Sequence, residues 1–251
     1  RHKANKDKKI AIIFHNYPPT NSNIGTALGM DSPESVRLLL SVLKREGYVI
    51  DHIPENSKCF MEEVIACATN DRRFMTDKQI KGALGKVGLE EYKKLFDNLP
   101  KDVREKMTEA WGEPLGNVFN YDEKLLIPGL ANGNVIITVQ PPRGFGEECG
   151  KIYHDPVAPP THHYLAFYYW IREIWRADAV IHVGTHGSVE WLPGKAAGLS
   201  KGCYPDICIG DLPNLYHYIV TVIGEGIQAK RRSAACLVDY LNPPMSTSGL
   251  Y

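Results

Sequence analysis

No apolar run in these 251 residues approaches the ~18 that a membrane-spanning helix needs. The first apolar stretch, IAIIF, is too short for the core of a signal peptide, and the RHKANKDKK before it reads as a solvated leader. Cysteine is sparse and unpaired in pattern: the six (59, 67, 149, 203, 208 and 236) contain no C-x-x-C. Their spacing suits neither a zinc ribbon nor a dense disulfide framework, so free thiols in a reducing cytoplasm are expected. An excess of one charge is missing too, with 29 Lys and Arg against 29 Asp and Glu. That balance excludes the basic surplus of a nucleic-acid binder, while leaving room for a local basic pocket. A phosphate loop is also absent. Around Gly194-Lys195 the pattern G-x-x-x-x-G-K-[ST] fails, because Val189 stands at the first glycine and Ala196 follows the lysine. ATP is therefore not expected to bind here. Gly144-Phe145-Gly146 is half of a dinucleotide fingerprint, with Cys149 in place of its third glycine.

With 43% hydrophobic residues, the chain can bury a core large enough for one α/β domain or two small ones. KIAIIF (9–14) reads as a buried strand. A helix is expected from Ser32, as cap, with Pro33 at its first position, Val36, Leu39, Leu40 and Leu43 on one face, and Gly47 as its stop. YVIDHI (48–53) then reads as a second strand, which would complete a βαβ unit and so begin a parallel sheet. Residues 57–125 are rich in Lys and Glu, with helical stretches near 57–68, 76–84, 89–98 and 101–111 and no strand signal. Strands resume at NVIITVQ (134–140) and DAVIHV (178–183), separated by a helix over 161–176 capped by Thr161. Helices are expected near 213–222 and 225–240. The fold class is thus α/β, a parallel-sheet, Rossmann-like core (1–56 and 126–251) with a helical insertion (57–125).

Three expected strands end in polar, turn-rich loops: His15-Asn16-Tyr17-Pro18-Pro19, Pro141-Pro142-Arg143-Gly144-Phe145-Gly146-Glu147-Glu148, and His182-Val183-Gly184-Thr185-His186-Gly187-Ser188-Val189-Glu190. Parallel sheets bind ligands outside the carboxyl ends of their strands, where such loops converge. In the third loop His182, His186 and Glu190 recur every four residues, and Gly184 and Gly187 favour a close backbone turn over a helix. Imidazole and carboxylate can ligate first-row divalent metals or accept protons near neutral pH. A lone His is more often a hydrogen-bonded side chain. Two His and one Glu in nine residues, directly after a strand, favour a site. The aromatics of 164–175 encircle a helix and read as core. Lys230-Arg231-Arg232 could fork onto substrate carboxylates or line a solvated helix face. His162 and His163 are expected to be neutral and hydrogen-bonded.

ADAVIHVGTHGSVEWLPGKAAGLS (177–200) closely resembles the signature of the large chelatase subunits, namely the large subunit of aerobic cobaltochelatase and the H subunit of magnesium chelatase. The likeness runs on through CYPDICIGDLPNLYHYIV (203–220), GEGIQAKRRSAACLVDYLNPP (224–244) and the closing SGLY. Upstream it takes in QPPRGFGEECGKIYHDPVAPPTHHYLAFYYW (140–170) and, more loosely, IAIIFHNYPPTNSNIG (11–25). About two thirds of the chain is covered, and 57–125 is not placed by any motif.

The resemblance implies ATP-dependent insertion of Co2+ or Mg2+ into a corrin or porphyrin ring, as in cobalamin biosynthesis. It also implies that the chain is a fragment of a much larger subunit, and that two AAA+-type partner subunits hydrolyse ATP-Mg. Under that reading His182, His186 and Glu190 are the expected metal ligands and bases, with Glu148 or Glu147 reaching in from the neighbouring loop and Asp155 as a weaker candidate. Arg143 and Lys195 would hold ring carboxylates, and His154 and Trp191 would also touch the macrocycle. Trp191-Leu192 and HNYPP resemble the cobalt branch, whereas THGS and SGLY occur in the magnesium branch. The alternatives are a tetrapyrrole carrier or sensor without catalysis, and a zinc-dependent hydrolase built on His182, His186 and Glu190.

Overall fold

The computed structural model describes residues 3–27, 29–67, 75–144, 155–185, 187–218 and 223–238. The first apolar run becomes β1 (Ile10–Phe14), whose five residues are all buried, so its sheet needs a layer on each face. The chain continues through α1 (Ser32–Arg45), α2 (Ser57–Cys67), α3 (Asp77–Lys81), β2 (Gly85–Gly88), α4 (Leu89–Phe96), α5 (Lys101–Trp111), β3 (Asn120–Tyr121) and β4 (Lys124–Ile127). There follow β5 (Leu130–Asn132), β6 (Val135–Val139), α6 (His162–Tyr169), β7 (Ala179–Gly184), α7 (Tyr204–Ile209), β8 (Asn214–Tyr218), α8 (Ile223–Arg232) and β9 (Ala235–Leu237). The main sheet has the order β5-β6-β1-β7-β8-β9 and is parallel except for β5. The protein is therefore mixed α/β with a mostly parallel central sheet.

Alternation along β1 sorts the two layers. Ile10, Ile12 and Phe14 pack with Val36 and Leu40 of α1 and Phe60 and Val64 of α2. Ala11 and Ile13 face the other way, into Tyr164, Phe167 and Tyr168 of α6 and, beyond them, Tyr92, Phe96 and Met107 of α4 and α5. The helices following β1 and β6 thus cover opposite faces although the two strands are neighbours. Such a switch of side opens a crevice at the carboxyl ends of the pair.

Several expectations need correction. YVIDHI forms no strand. It lies beside the β5–β6 hairpin, where Asn134 N donates to Val49 O (2.9 Å) and the Asn132 side chain bonds both His52 N (2.9 Å) and His52 O (2.7 Å). The place next to β6 is taken by β5, returned by Gly133 at φ 65° in a turn against Val49 that leaves no space for a Cβ. Within 57–125 the helices fall where expected, but β2, β4 and β3 form a second, antiparallel sheet. These strands span two to four residues, too few to display a period. The segment near 213–222, expected to be helical, contains β8. Its alternation turns Asn214 and Tyr216 to one face, and 219–222 lie outside the described residues. The last expected helix ends at Arg232, because Ala234 adopts φ 49°, and β9 follows. The cap of α1 is Asp31 rather than Ser32, its side chain accepting from Glu34 N at 2.9 Å.

The Phe14–Phe60 contact, with ring centroids 6.1 Å apart, ties α2 to the sheet. Phe60→Ala is expected to lower unfolding free energy by about 3–5 kcal/mol, measured by denaturant titration.

Candidate functional site

The carboxyl ends of β6 and β7 are joined to the amino end of β8 beneath the loops by side chains of which only His182 stood out in the sequence. Gln140, directly after β6, accepts from Ser188 N (3.1 Å) through Oε1 and donates through Nε2 to Tyr168 Oη on α6 (2.9 Å). Tyr168 Oη lies 2.9 Å from His182 Nε2, and His182 Nδ1 lies 2.8 Å from Asn214 Oδ1 on β8. Asn214 Nδ2 donates to Ser233 O (3.0 Å), which fixes its amide orientation. Oδ1 is then an acceptor, so His182 carries its proton on Nδ1 and Nε2 accepts from the tyrosine. All five bonds therefore point the same way, from Ser188 to Ser233. Ser188 Oγ adds a bond of 2.7 Å to Tyr164 Oη.

Burial, only partly offset by the Asn214 bond, pushes His182 down to about 4, so the ring is neutral at physiological pH. Burial likewise drives the Tyr164 and Tyr168 hydroxyls well above their ordinary value, so both stay protonated. His182 is 2% exposed and has both ring nitrogens in hydrogen bonds. This differs from its expected role as a metal ligand, because an ion on Nε2 would have to displace Tyr168. The His182-based zinc arrangement meets the same obstacle.

Glu190 sits in a short 3-10 turn (Val189–Trp191) after β7 and is 1% exposed. Its Oε1 accepts from Gly187 N (3.2 Å) and from Tyr216 Oη on β8, and Gly187 N also donates to Tyr216 Oη (3.1 Å). The turn is held from α8 by Arg232, whose Nη1, Nη2 and Nε donate to the carbonyls of Glu190 (2.7 Å), Leu192 (2.7 Å) and Lys195 (3.0 Å). Burial lowers the Arg232 guanidinium, while the charge of Glu190 helps hold its proton. Of the basic triplet 230–232, Arg232 thus turns inward onto backbone. Neither a solvated face nor a substrate clamp describes it.

The other expected residues divide as follows. Arg143 is buried and donates to the carbonyls of Asp155 (2.9 Å) and Ala158 (3.4 Å), which places its guanidinium on the chain's own backbone. It also lines a small recess with His15, Asn16, Gln140 and Ser188, in the crevice between β1 and β6. Asp155 caps its own turn, and the N–H groups of Val157 and Ala158 hold its carboxyl below the ordinary range. Lys195 is exposed and Trp191 half-buried at the rim. Beneath them Gly194, at φ 145°, packs against Cys203, whose Sγ accepts from Lys195 N and Ser200 N. Burial raises the Cys203 thiol, but these N–H groups and the Lys195 charge outweigh it and leave the thiol below its usual value. His186, Glu147, Glu148 and His154 lie outside the described residues. Among the described residues no three His, Cys, Asp or Glu converge as a metal site, and no helix is long and apolar enough to cross a membrane.

Sequence reading missed Gln140, Asn214 and Tyr216, took Tyr168 as one of the core aromatics, and weighed Arg232 only as part of a basic triplet. The Tyr-rich composition of NLYHY favours a strand, and a strand there places Asn214 and Tyr216 on the face of His182. His162 and His163 behave as expected: both are buried and hydrogen-bonded, and burial takes His163 down to about 4.

The CobN/Magnesium Chelatase family model matches residues 1–251. The aerobic cobaltochelatase subunit CobN of Pseudomonas aeruginosa is 37% identical over 249 residues, covering 99% of this chain and 20% of the relative. The chloroplastic magnesium-chelatase subunit ChlH of Oryza sativa subsp. indica is 36% identical over 251 residues, covering 100% of this chain and 17% of the relative. The solved catalytic subunit of cobaltochelatase from Mycobacterium tuberculosis superposes with a TM-score of 0.83 at 39% identity, covering 100% of this chain and 21% of that one. The chain thus spans about a fifth of the length of the relatives it matches.

His182 and His163 bind a proton in the unfolded chain near the ordinary pKa of 6.5 but in the folded protein only near 4. Their contribution to stability is complete above pH 6.5 and is lost as the pH falls towards 4, at up to about 1.4 kcal/mol per pH unit for each. Thermal unfolding measured across that window should show the loss. His182→Gln should remove about half of it, leaving the share of His163, and an unchanged slope would mean that His182 is not the buried neutral base described.

Proposed function

The chain belongs to the CobN/magnesium chelatase family, and on that premise we propose that its Rossmann-like core carries the centre at which a chelatase large subunit inserts Co2+, or alternatively Mg2+, into a tetrapyrrole. Members of the family are metal-insertion enzymes, cobaltochelatase and magnesium chelatase among them. The observation that carries the reading is the buried Glu190 carboxylate, held at the carboxyl end of the parallel sheet by Tyr216 and Gly187 and balanced by the nearby Arg232 charge.

Insertion removes two pyrrole N–H protons and strips water from the ion, so it needs a base and a ligand that can release the metal. Glu190 serves both needs, with His186 from the same loop and Glu148 from the neighbouring one as the further candidates. His182 acts indirectly, by fixing Tyr168 and Asn214 and thereby the frame beneath the loop. Lys195 and Trp191, at the rim, are the candidates to meet ring carboxylates and the macrocycle face, together with His154. Arg143 supports the loop at 155–158 rather than the ring. ATP hydrolysis falls to AAA+-type partner subunits, in agreement with the failed phosphate-loop pattern, and the assembly works in the cytoplasm.

In the whole large subunit with its partners, Glu190→Gln is expected to retain tetrapyrrole binding and abolish insertion. Retained insertion would remove Glu190 from the mechanism. Absorbance titration with a corrin precursor and, separately, with protoporphyrin assigns the branch. A saturable shift with the corrin alone selects cobalt, and one with protoporphyrin alone selects magnesium. A shift with neither the chain nor the whole subunit would favour the hydrolase alternative.

A further inference from the structure

Lys195 is exposed, yet its backbone is tethered on both sides. Its carbonyl accepts from Arg232 Nε (3.0 Å), and its N–H donates to Cys203 Sγ (3.4 Å). Just before it, Pro193 O accepts from Tyr204 N (3.1 Å). The Cys203 sulfur also accepts from Ser200 N (3.3 Å), so one thiol closes the largely exposed 195–200 loop at both ends. Gly194, at φ 145°, lets the turn settle on Cys203, because a Cβ there would lie 2.8 Å from that of the cysteine. The Glu190 carboxylate does not need this bracing, since Gly187 N and Tyr216 hold it directly. What the tethers fix is the origin of the Lys195 side chain. Among the described residues both hydrogen bonds of Lys195 are made by its backbone, which leaves the ammonium for a ligand. From this bracing we propose, on the chelatase reading of the loop, that Arg232 and Cys203 are positioning residues that hold Lys195 as the anchor for a carboxylate side group of the tetrapyrrole.

Lysine carries its charge on a flexible four-carbon stem, so a fixed backbone is what narrows the space its ammonium explores. A loop ordered before binding also forfeits less freedom when the ligand arrives. The same guanidinium that holds Lys195 O donates to Glu190 O (2.7 Å), which sets the anchoring cation and the acid at one spacing. A ring tied to Lys195 by a carboxylate is thereby presented to Glu190 in one register. Loss of either brace weakens a ligand that bears the carboxylate and spares one that lacks it.

The test titrates the whole large subunit, by absorbance, with protoporphyrin and with a corrin precursor, each as the free acid and with its carboxylates amidated. Wild type should bind the acid about tenfold more tightly than the amide, the lower range for a hydrogen bond to a charged group. Lys195→Met should erase that preference by weakening the acid alone. Cys203→Ala and Arg232→Lys should each weaken the acid about threefold, the scale of one side chain to be ordered on binding, and leave the amide unchanged. In the Lys195→Met background neither should have a further effect, a coupling that general damage to the fold would not show. Thermal unfolding identifies the folded variants, and Lys195→Met with Cys203→Ala suffices if Arg232→Lys is lost. An acid preference that survives Lys195→Met overturns the proposal. So does a Cys203→Ala variant in which acid binding is unchanged, or in which acid and amide weaken equally. Binding of neither form by wild type refutes the tetrapyrrole reading itself, whereas equal binding of both removes only the anchor.

Discussion

One directed chain of hydrogen bonds, from Ser188 through Gln140, Tyr168, His182 and Asn214 to Ser233, sets the arrangement of everything above it. Each member is buried, and a buried polar group left without a partner costs about 1–3 kcal/mol. The members come from the end of β6, from α6, from β7, from β8 and from the residue after α8, so displacing any of these elements breaks a bond that water cannot replace. Apolar packing brings the layers together, but packing alone tolerates small shifts of one strand end against the next. The hydrogen-bond chain does not, because its donors and acceptors alternate in a single order with no member able to reverse independently.

The parts of the fold legible in the sequence were those governed by local pattern. β1 is apolar throughout, and β6 and β7 are apolar but for Thr138 and His182, because helices cover both faces, and such runs declare themselves. Thr161 caps α6 as its residue type suggests, accepting from Tyr164 N at 3.1 Å. What escaped reading depended on partners distant in sequence. YVIDHI has the composition of a strand but lost its place beside β6 to the hairpin return of β5. NLYHY was expected to be helical, and its place in the sheet follows from pairing with β7 and β9 rather than from any pattern of its own.

The site shows the same division. The segment 182–190 was recognisable from its spacing of His and Glu, and the end-of-strand position of Glu190 followed from β7. The spacing did not distinguish a ligand from a structural histidine. That depends on what lies opposite, and His182 lies opposite Tyr168 and Asn214. Arg232 was equally opaque. In sequence it is one of three consecutive basic residues, and its role follows from the carbonyls of Glu190, Leu192 and Lys195 lying within its reach. A guanidinium suits that task because its donors diverge in a plane and keep their charge, whereas an ammonium could not span three carbonyls in the same way.

That clamp has a consequence for the order in which the protein is made. Forty-two residues separate Arg232 from the carbonyl of Glu190, so the most recognisable stretch of the chain leaves the ribosome well before the side chain that fixes its shape. Until α8 emerges and β9 joins β8, the nascent polypeptide carries the entire 182–190 motif without the fastening that holds its acidic residue in place. Recognition by sequence and fixing of the loop are therefore separated in time during synthesis, and a product released between the two would bear the signature of the family without the clamp on its 190–195 segment.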